Sequence, residues 1–367
     1  MASRLSTLAG AVFGRGSSTL SIPLLDGALK PNNLLEEAPV FAEREGLEDM
    51  ALAPDGQLYA ACGAAVFRVS REGVFDPVAA FDRSVTALAI CPDGSLAVGL
   101  GNAVLFGAGT SRVRSVEACD GRALGAVNAL HARADGGVLI CDGSTNRPCP
   151  QWSHDLLEKG RTGRLLQHDP RTGRTSTLAS GLAYAFGAFA DAQGRPIVSE
   201  SWRHRVTRVS DGRTAQVVVP TLPGYPARMA PALGGGFWLS LFACRTQLVE
   251  FVLREDDYRA EMMRSIEPRY WVAPALSSGA DFLEPLSGGG VKQMGILKPW
   301  APPRSYGLVV RIGEDFIPMY SLHSRVGGRH HGVVAVAQRG DELFVLVKGA
   351  GRILRLSVAQ ASEGAKR

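Results

Sequence analysis

Short apolar runs alternate with polar turns along most of the chain, at strand rather than helix spacing. One pattern recurs: an apolar strand, a turn holding a glycine, then a second strand that opens on Leu, Ile, Val or an aromatic residue. It reads MALAPDGQLYAAC from Met50, ALAICPDGSLAVGL from Ala87 and ALHARADGGVLICD from Ala129. It continues as AFADAQGRPIVSE from Ala188, RMAPALGGGFWLSL from Arg228 and VVAVAQRGDELFVLV from Val333. The turn glycines Gly56, Gly94, Gly136, Gly194, Gly235 and Gly340 mark six units. Asp-Gly between two such runs is a strong hairpin signal. A third strand follows each hairpin, at Ala65, Ala103, Gly163, Arg205, Gly307 and Arg352, and a fourth follows most of these, as in VFDPVAAF from Val74.

The sixth unit runs out of chain after its third strand, and APVFAE from Ala38 can supply the missing edge. Closing a ring with strands from both termini removes the open sheet edge. The repeat therefore predicts an all-β fold, a six-bladed β-propeller over residues 34–360 whose last blade is closed by an N-terminal strand. A loosely ordered leader is expected over 1–33 and a flexible tail over 361–367. Two segments interrupt the repeat. Residues 144–161 lengthen a loop in the third unit, and residues 254–306 insert into the fifth with a helix expected from Asp256 to Ile266. Long loops on a rigid scaffold cover or carry sites, so both are expected to roof one funnel mouth.

Composition adds limits. Of 367 residues 46% are hydrophobic and 20% charged, as in a well-cored globular protein. A net charge of +5 permits nucleic-acid binding, but Lys and Arg are scattered, with no aromatic-interleaved basic run, so no nucleic-acid partner is expected. No apolar stretch reaches membrane-spanning length. The N-terminal apolar run Leu8–Phe13 is ended by Arg15, so a cytoplasmic protein is expected, with secretion or a periplasmic location as the alternative. The six cysteines form no CxxC pair, which argues against zinc. GxSxG, Walker and HExxH patterns are absent.

In a propeller the first strand of each unit lines the axis. Glu48 stands eight residues before Gly56, and the same offset gives Thr86, Asn128, Phe186, Ala227 and Gly332, with Arg228 and His331 one residue away. This set predicts the funnel mouth. Glu48 beside Arg228 reads as an ion pair or a polarised carboxylate. Glu48 and Asn128 could help hold a cation, but calcium takes about six oxygens and Phe186 and Ala227 offer none, so no cofactor is expected beyond weakly held calcium. Only one of His330 and His331 can face the funnel; it reads as an acid/base group or as a hydrogen-bonded turn histidine. Glu200, Trp202 and His204 end a second strand, as site residues or as part of an interblade salt bridge.

The runs TGRLLQHDPRTGRTSTLASGL (Thr162 to Leu182), LPGYPARM (Leu222 to Met229) and GGFWLSL (Gly235 to Leu241) resemble the strictosidine synthase-like family, kin to the paraoxonase and gluconolactonase propellers. VLICDGS at Val138 and GLED at Gly46 fit the same resemblance. It implies a six-bladed propeller and, in metal-using relatives, a ring of Glu, Asn and Asp around the axis. Glu48 and Asn128 match that ring; Phe186 and Ala227-Arg228 replace its other members. The resemblance also places Val334 where condensing relatives carry a glutamate.

The expected activity is hydrolysis of a small ester or lactone, with Glu48 and His331 as acid/base groups. Asn128, Arg228, Tyr225, Phe186, His330 and Trp202 would bind the substrate. A non-catalytic small-molecule or partner-binding propeller is the alternative, and a C–N bond-forming synthase follows from family analogy alone. Sequence leaves the oligomeric state open.

Overall fold

The computed structural model describes residues 22–210, 215–279, 281–285, 304–325 and 327–365. Six four-stranded antiparallel sheets are arranged around one axis. Blade one is Leu47–Leu52, Leu58–Cys62, Ala65–Val69 and Phe75–Ala80; blade two is Ala87–Ile90, Leu96–Gly99, Val104–Ala108 and Arg114–Val116. Blade three is Val127–Ala132, Val138–Asp142, Gly163–Asp169 and Arg174–Leu182; blade four is Ala185–Ala190, Pro196–Glu200, Arg205–Val209 and Ala215–Val219. Blade five is Gly224–Pro231, Phe237–Cys244, Gly307–Ile312 and Pro318–Ser324. Blade six joins Val333–Arg339, Glu342–Val347 and Arg352–Ser357 to the N-terminal strand Val40–Glu43. Glu43 pairs with Arg352 and Val40 with Leu354, so the ring closes as the sequence predicts.

The second strand of every blade is largely apolar and buried because both its faces pack against neighbouring blades, whereas outer strands such as Arg114–Val116 and Ala215–Val219 are largely exposed. Separate apolar layers fill the interfaces, such as Leu88, Val98 and Val66 between blades one and two, and Val309, Trp238 and Val345 between five and six. The first five hairpins close through five-residue loops, Leu52 pairing with Leu58 and Ile90 with Leu96. Asp55, Asp93 and Asp135 each accept a backbone N–H two residues on, and Gly56 takes φ +82°, which only glycine adopts without strain. Blade six differs: Arg339 pairs with Glu342 across Gly340-Asp341 alone.

The two insertions share a small core of their own, Leu157 from one and Val252, Met262 and Trp271 from the helical segment before and within the other. Lys159 and Asp256 form an ion pair at 2.9 Å between them. The helix of the second insertion spans Asp256–Ser265, preceded by a short one at Gln247–Val252. Of the leader expected over 1–33, residues 1–21 lie outside the described residues. The described end is docked, with Asn32 donating to Ser321 O at 2.8 Å and accepting from His323 N at 3.0 Å, and Leu35 just after it is buried in the layer between blades five and six. The boundary drawn at 360 falls inside a helix, Val358–Ala365, whose Ala361 packs into that same layer, so the described tail is not flexible coil.

Candidate functional site

Near their start, five of the six inner strands slip register against their partners. The slips lie between Leu47 and Asp49, Val127 and Ala129, Ala185 and Gly187, Gly224 and Met229, and Val333 and Ala335. A bulge frees the extra residue from alternation and lets two neighbours serve one end of the strand. The residues released are Glu48, Asn128, Phe186, the Tyr225 to Arg228 segment and Val334; Thr86 precedes the unbulged strand of blade two.

Arg228 ties this ring together. From blade five its Nη1 donates to Glu48 O at 3.1 Å and its Nη2 to Thr86 O at 2.9 Å, crossing the axis to the opposite blade. Its Nε lies 3.2 Å from Asp49 Oδ2, and its guanidinium stands 5.3 Å from the Phe186 ring centre. Asp49 also accepts from Met50 N and Leu88 N, both at 2.8 Å. Burial pushes the Asp49 carboxyl up to about 6, against the opposing pull of Arg228 and these two amides. The expected pairing of Glu48 with Arg228 is therefore corrected. Arg228 belongs to Asp49, and Glu48 Oε1 accepts from Lys348 Nζ at 2.5 Å, with the two side chains 23% and 29% exposed. Gly187 permits the close approach of blades four and five: a Cβ there would lie 2.4 Å from Ala227 O and 2.7 Å from the Arg228 Cα. Gly187→Ala should cost about 1–3 kcal/mol by overpacking, read as a lower thermal midpoint; an unchanged midpoint would show that the strands are free to part.

Asn128 is 3% exposed; its amide faces the Tyr184 hydroxyl, and among the described residues neither its nitrogen nor its oxygen makes a hydrogen bond of good geometry. It sits beside Tyr184 and Gly143. Cys149, from the first insertion, donates its thiol to Val127 O at 3.5 Å and lies near enough to feel Glu48, Lys348 and Arg228; burial pushes it up to about 12, so it stays a thiol. An aromatic wall completes the mouth. Trp202 stacks on Tyr184 at 4.4 Å, Tyr184 meets Phe186 edge-on at 5.7 Å, and Trp152 of the first insertion contacts Trp202 and Phe242. Trp202 donates through Nε1 to Asp155 at 2.7 Å, which fastens that insertion to blade four. Tyr225 lies behind the wall, fully buried between Phe242 and His204, its hydroxyl without a partner among the described residues.

The two histidines stand elsewhere. His331 Nε2 donates to Arg325 O at 2.9 Å and its Nδ1 meets Ser305 Oγ at 2.7 Å, with the ring stacked on Tyr306. His330 is buried, its backbone N–H directed at Ser324, in the neighbourhood of Glu36 that anchors the N-terminal segment. The two-residue hairpin of blade six explains the misplacement. It shortens the offset from the turn glycine to the bulge, so the position equivalent to Glu48 is the buried Val334 and not His331. Asp49 and Lys348 were missed. The bulge that lets Asp49 act beside Glu48 has no sequence signature, while Lys348 follows the second strand of blade six, a position outside the first-strand register.

Below the Asp49–Arg228 pair the axis opens into a channel of about 340 Å³ lined by Met50, Leu88, Leu130, His131 and Met229. Burial holds His131 down near 4.

No family model matches the chain. An adipocyte plasma membrane-associated protein of Salmo salar is 25% identical over 252 residues, which cover 61% of this chain and 60% of the relative. The Arabidopsis thaliana strictosidine synthase-like proteins 13 and 7 are 28% and 35% identical, over 40% and 29% of this chain and 37% and 30% of their own lengths. Among solved structures, a gluconolactonase from Xanthomonas campestris superposes with a TM-score of 0.55 at 13% identity, covering 87% of this chain and 88% of its own. A luciferin-regenerating enzyme gives 0.53 at 13% identity, covering 89% and 94%. These structures share the fold. By sequence the chain is similar to strictosidine synthase-like and adipocyte plasma membrane-associated proteins, spanning less than two thirds of their length, and it folds as a six-bladed β-propeller.

Proposed function

We propose that the chain hydrolyses a small ester or lactone at the mouth formed by Glu48, Lys348, Asn128, Thr86 and Phe186. The observation that carries this reading is the buried Asn128 amide, without a hydrogen bond of good geometry among the described residues, at the bulged position equivalent to that of Glu48, whose pair with Lys348 is partly exposed. A buried amide short of good partners costs up to about 1–3 kcal/mol, and a substrate oxygen would accept from its nitrogen. Glu48 takes a proton from water as the water oxygen attacks the carbonyl carbon. Lys348 and the Asn128 amide donate to the developing oxyanion. The C–O bond to the alcohol then breaks, and Glu48 returns the proton to the leaving alkoxide. The gluconolactonase-like fold is compatible with this chemistry, by analogy alone.

The mouth does not fit a divalent cation. The Lys348 ammonium stands on the one carboxylate of the ring, the Arg228 guanidinium lies beneath, and Phe186 brings no oxygen, whereas calcium takes six to eight oxygens. Among the described residues no three His, Cys, Asp or Glu side chains cluster as ligands. A condensing synthase is not supported either, since an apolar Val334 holds the blade-six position.

The test is a panel of lactones and esters given to the purified protein, with and without a chelator. Turnover is expected and the chelator should leave it unchanged. Asn128→Ala should lower kcat/KM about 10²-fold with little change in the thermal midpoint, because the amide it removes makes no hydrogen bond of good geometry among the described residues. A variant that is destabilised but fully active would overturn the assignment. A ligand-capturing propeller without turnover is favoured by one feature, the mutual neutralisation of Glu48 and Lys348; ligand binding across the panel with no product would establish it.

A further inference from the structure

His331, displaced from the funnel, heads a hydrogen-bonded chain that reaches the surface. The Arg325 carbonyl can only accept, so His331 Nε2 carries the proton and Nδ1 is the acceptor. Ser305 Oγ, 2.7 Å from Nδ1, must therefore give its hydrogen to the ring. Having one hydrogen to give, Ser305 can only accept from Ser278 Oγ, 2.6 Å away. The direction of the whole chain follows: Ser278 O–H to Ser305 O–H to His331 Nδ1. Ser305 is fully buried and His331 nearly so, while Ser278 is exposed on the second insertion. Burial holds His331 below its usual range, so it is a neutral acceptor at pH 7. Tyr306 stacked on the ring and the Arg325 carbonyl fix its orientation, the role a carboxylate plays in a triad.

We propose that Ser278 is a reactive serine, activated through Ser305 by His331, which accepts acyl or phosphonyl groups from small activated electrophiles at a site separate from the axial ring. With a fluorophosphonate, the Ser278 O–P bond forms, the P–F bond breaks and fluoride departs. The Ser278 proton passes to Ser305 as the Ser305 proton passes to His331. With an activated ester the acyl group goes to Ser278 and the alkoxide receives the proton back from His331 through Ser305. Ser305 and His331 are positioning and relay groups; Ser278 alone touches the electrophile. Leu276, two residues before Ser278, packs its carbonyl against Gly349, beside Lys348, which places this serine near the mouth but outside the ring of bulged residues.

The experiment is labelling of the intact chain with an alkyl fluorophosphonate, followed by intact mass and peptide mapping. One adduct is expected, on Ser278. Ser278→Ala should abolish it, and Ser305→Ala should slow it by on the order of 10²-fold with the circular dichroism spectrum unchanged. Ser305→Thr, which keeps a hydroxyl, should recover most of the rate, a recovery that a merely structural role would not give. Glu48→Gln should label like the wild type, so this proposal and the funnel hydrolase stand or fall separately. Absence of an adduct on Ser278, or a Ser305→Ala rate equal to wild type, would overturn it.

Discussion

Arg228→Met is expected to lower the free energy of unfolding by about 3–5 kcal/mol at pH 7.5, with a deficit that shrinks toward pH 5. Arg228 is 6% exposed, and its guanidinium joins blades one, two and five through two carbonyls and Asp49. Methionine fills the volume but leaves the buried Asp49 carboxylate without its cation. The direction of the pH effect follows from Asp49. Its folded value, about 6, already lies above the ordinary carboxylate value of 3.8 because burial outweighs Arg228. Loss of Arg228 removes the largest opposing pull and raises it further. A carboxyl raised in the folded state contributes stability that is fully present below the unfolded value and lost as pH rises through the folded one. In the wild type that loss falls between about 4 and 6; in the variant it extends above 6. The variant's deficit is thus largest at alkaline pH and narrows on acidification, as Asp49 takes up a proton. Guanidinium unfolding at the two pH values, followed by tryptophan fluorescence, measures this directly. Adding Asp49→Asn to Arg228→Met should restore part of the loss, since removing both charges leaves nothing buried and ionised. A deficit of equal size at both pH values would mean that Arg228 acts through packing alone.

Sequence periodicity reaches as far as local physics does. The turn glycines, the closing strand near Ala38 and the helix at Asp256 are each set by residues within a few positions of one another, and the structure has all three. The mouth is different. Four of its members, Glu48, Thr86, Asn128 and Phe186, follow from a constant spacing to the turn, and that spacing holds because the first four hairpins share one loop length. It fails in blade six, where a tighter hairpin moves the equivalent position to Val334 and leaves His331 outside. Lys348 and Glu48 meet across 300 positions, and Arg228 reaches Glu48 across 180. Nothing local announces such pairs. Asp49 is hidden for another reason: strict alternation would turn it away from Glu48, and only a bulge lets the two act at one end of the strand.

Glu48→Gln is expected to lower kcat/KM by about 10³-fold, while unfolding changes by less than about 1 kcal/mol because the pair it breaks is partly solvated. Glutamine keeps the shape and a hydrogen-bonding oxygen but cannot take the water proton. Lys348→Met removes the ammonium and should cost about 10²-fold through the lost oxyanion donor. The decisive quantity is the double variant. If the carboxylate and the ammonium serve one reaction, removing the second after the first costs little, and the double variant should fall close to Glu48→Gln rather than to the product of the two losses. Additive losses would mean that the two side chains act at separate steps. Unchanged turnover in Glu48→Gln would remove the proposed base altogether and leave the mouth as a binding site, with the effect of Lys348→Met then confined to ligand affinity. The contrast with Arg228 is set by burial. The same opposite charges that govern stability when sealed among three blades are free, one layer higher and open to solvent, to govern chemistry.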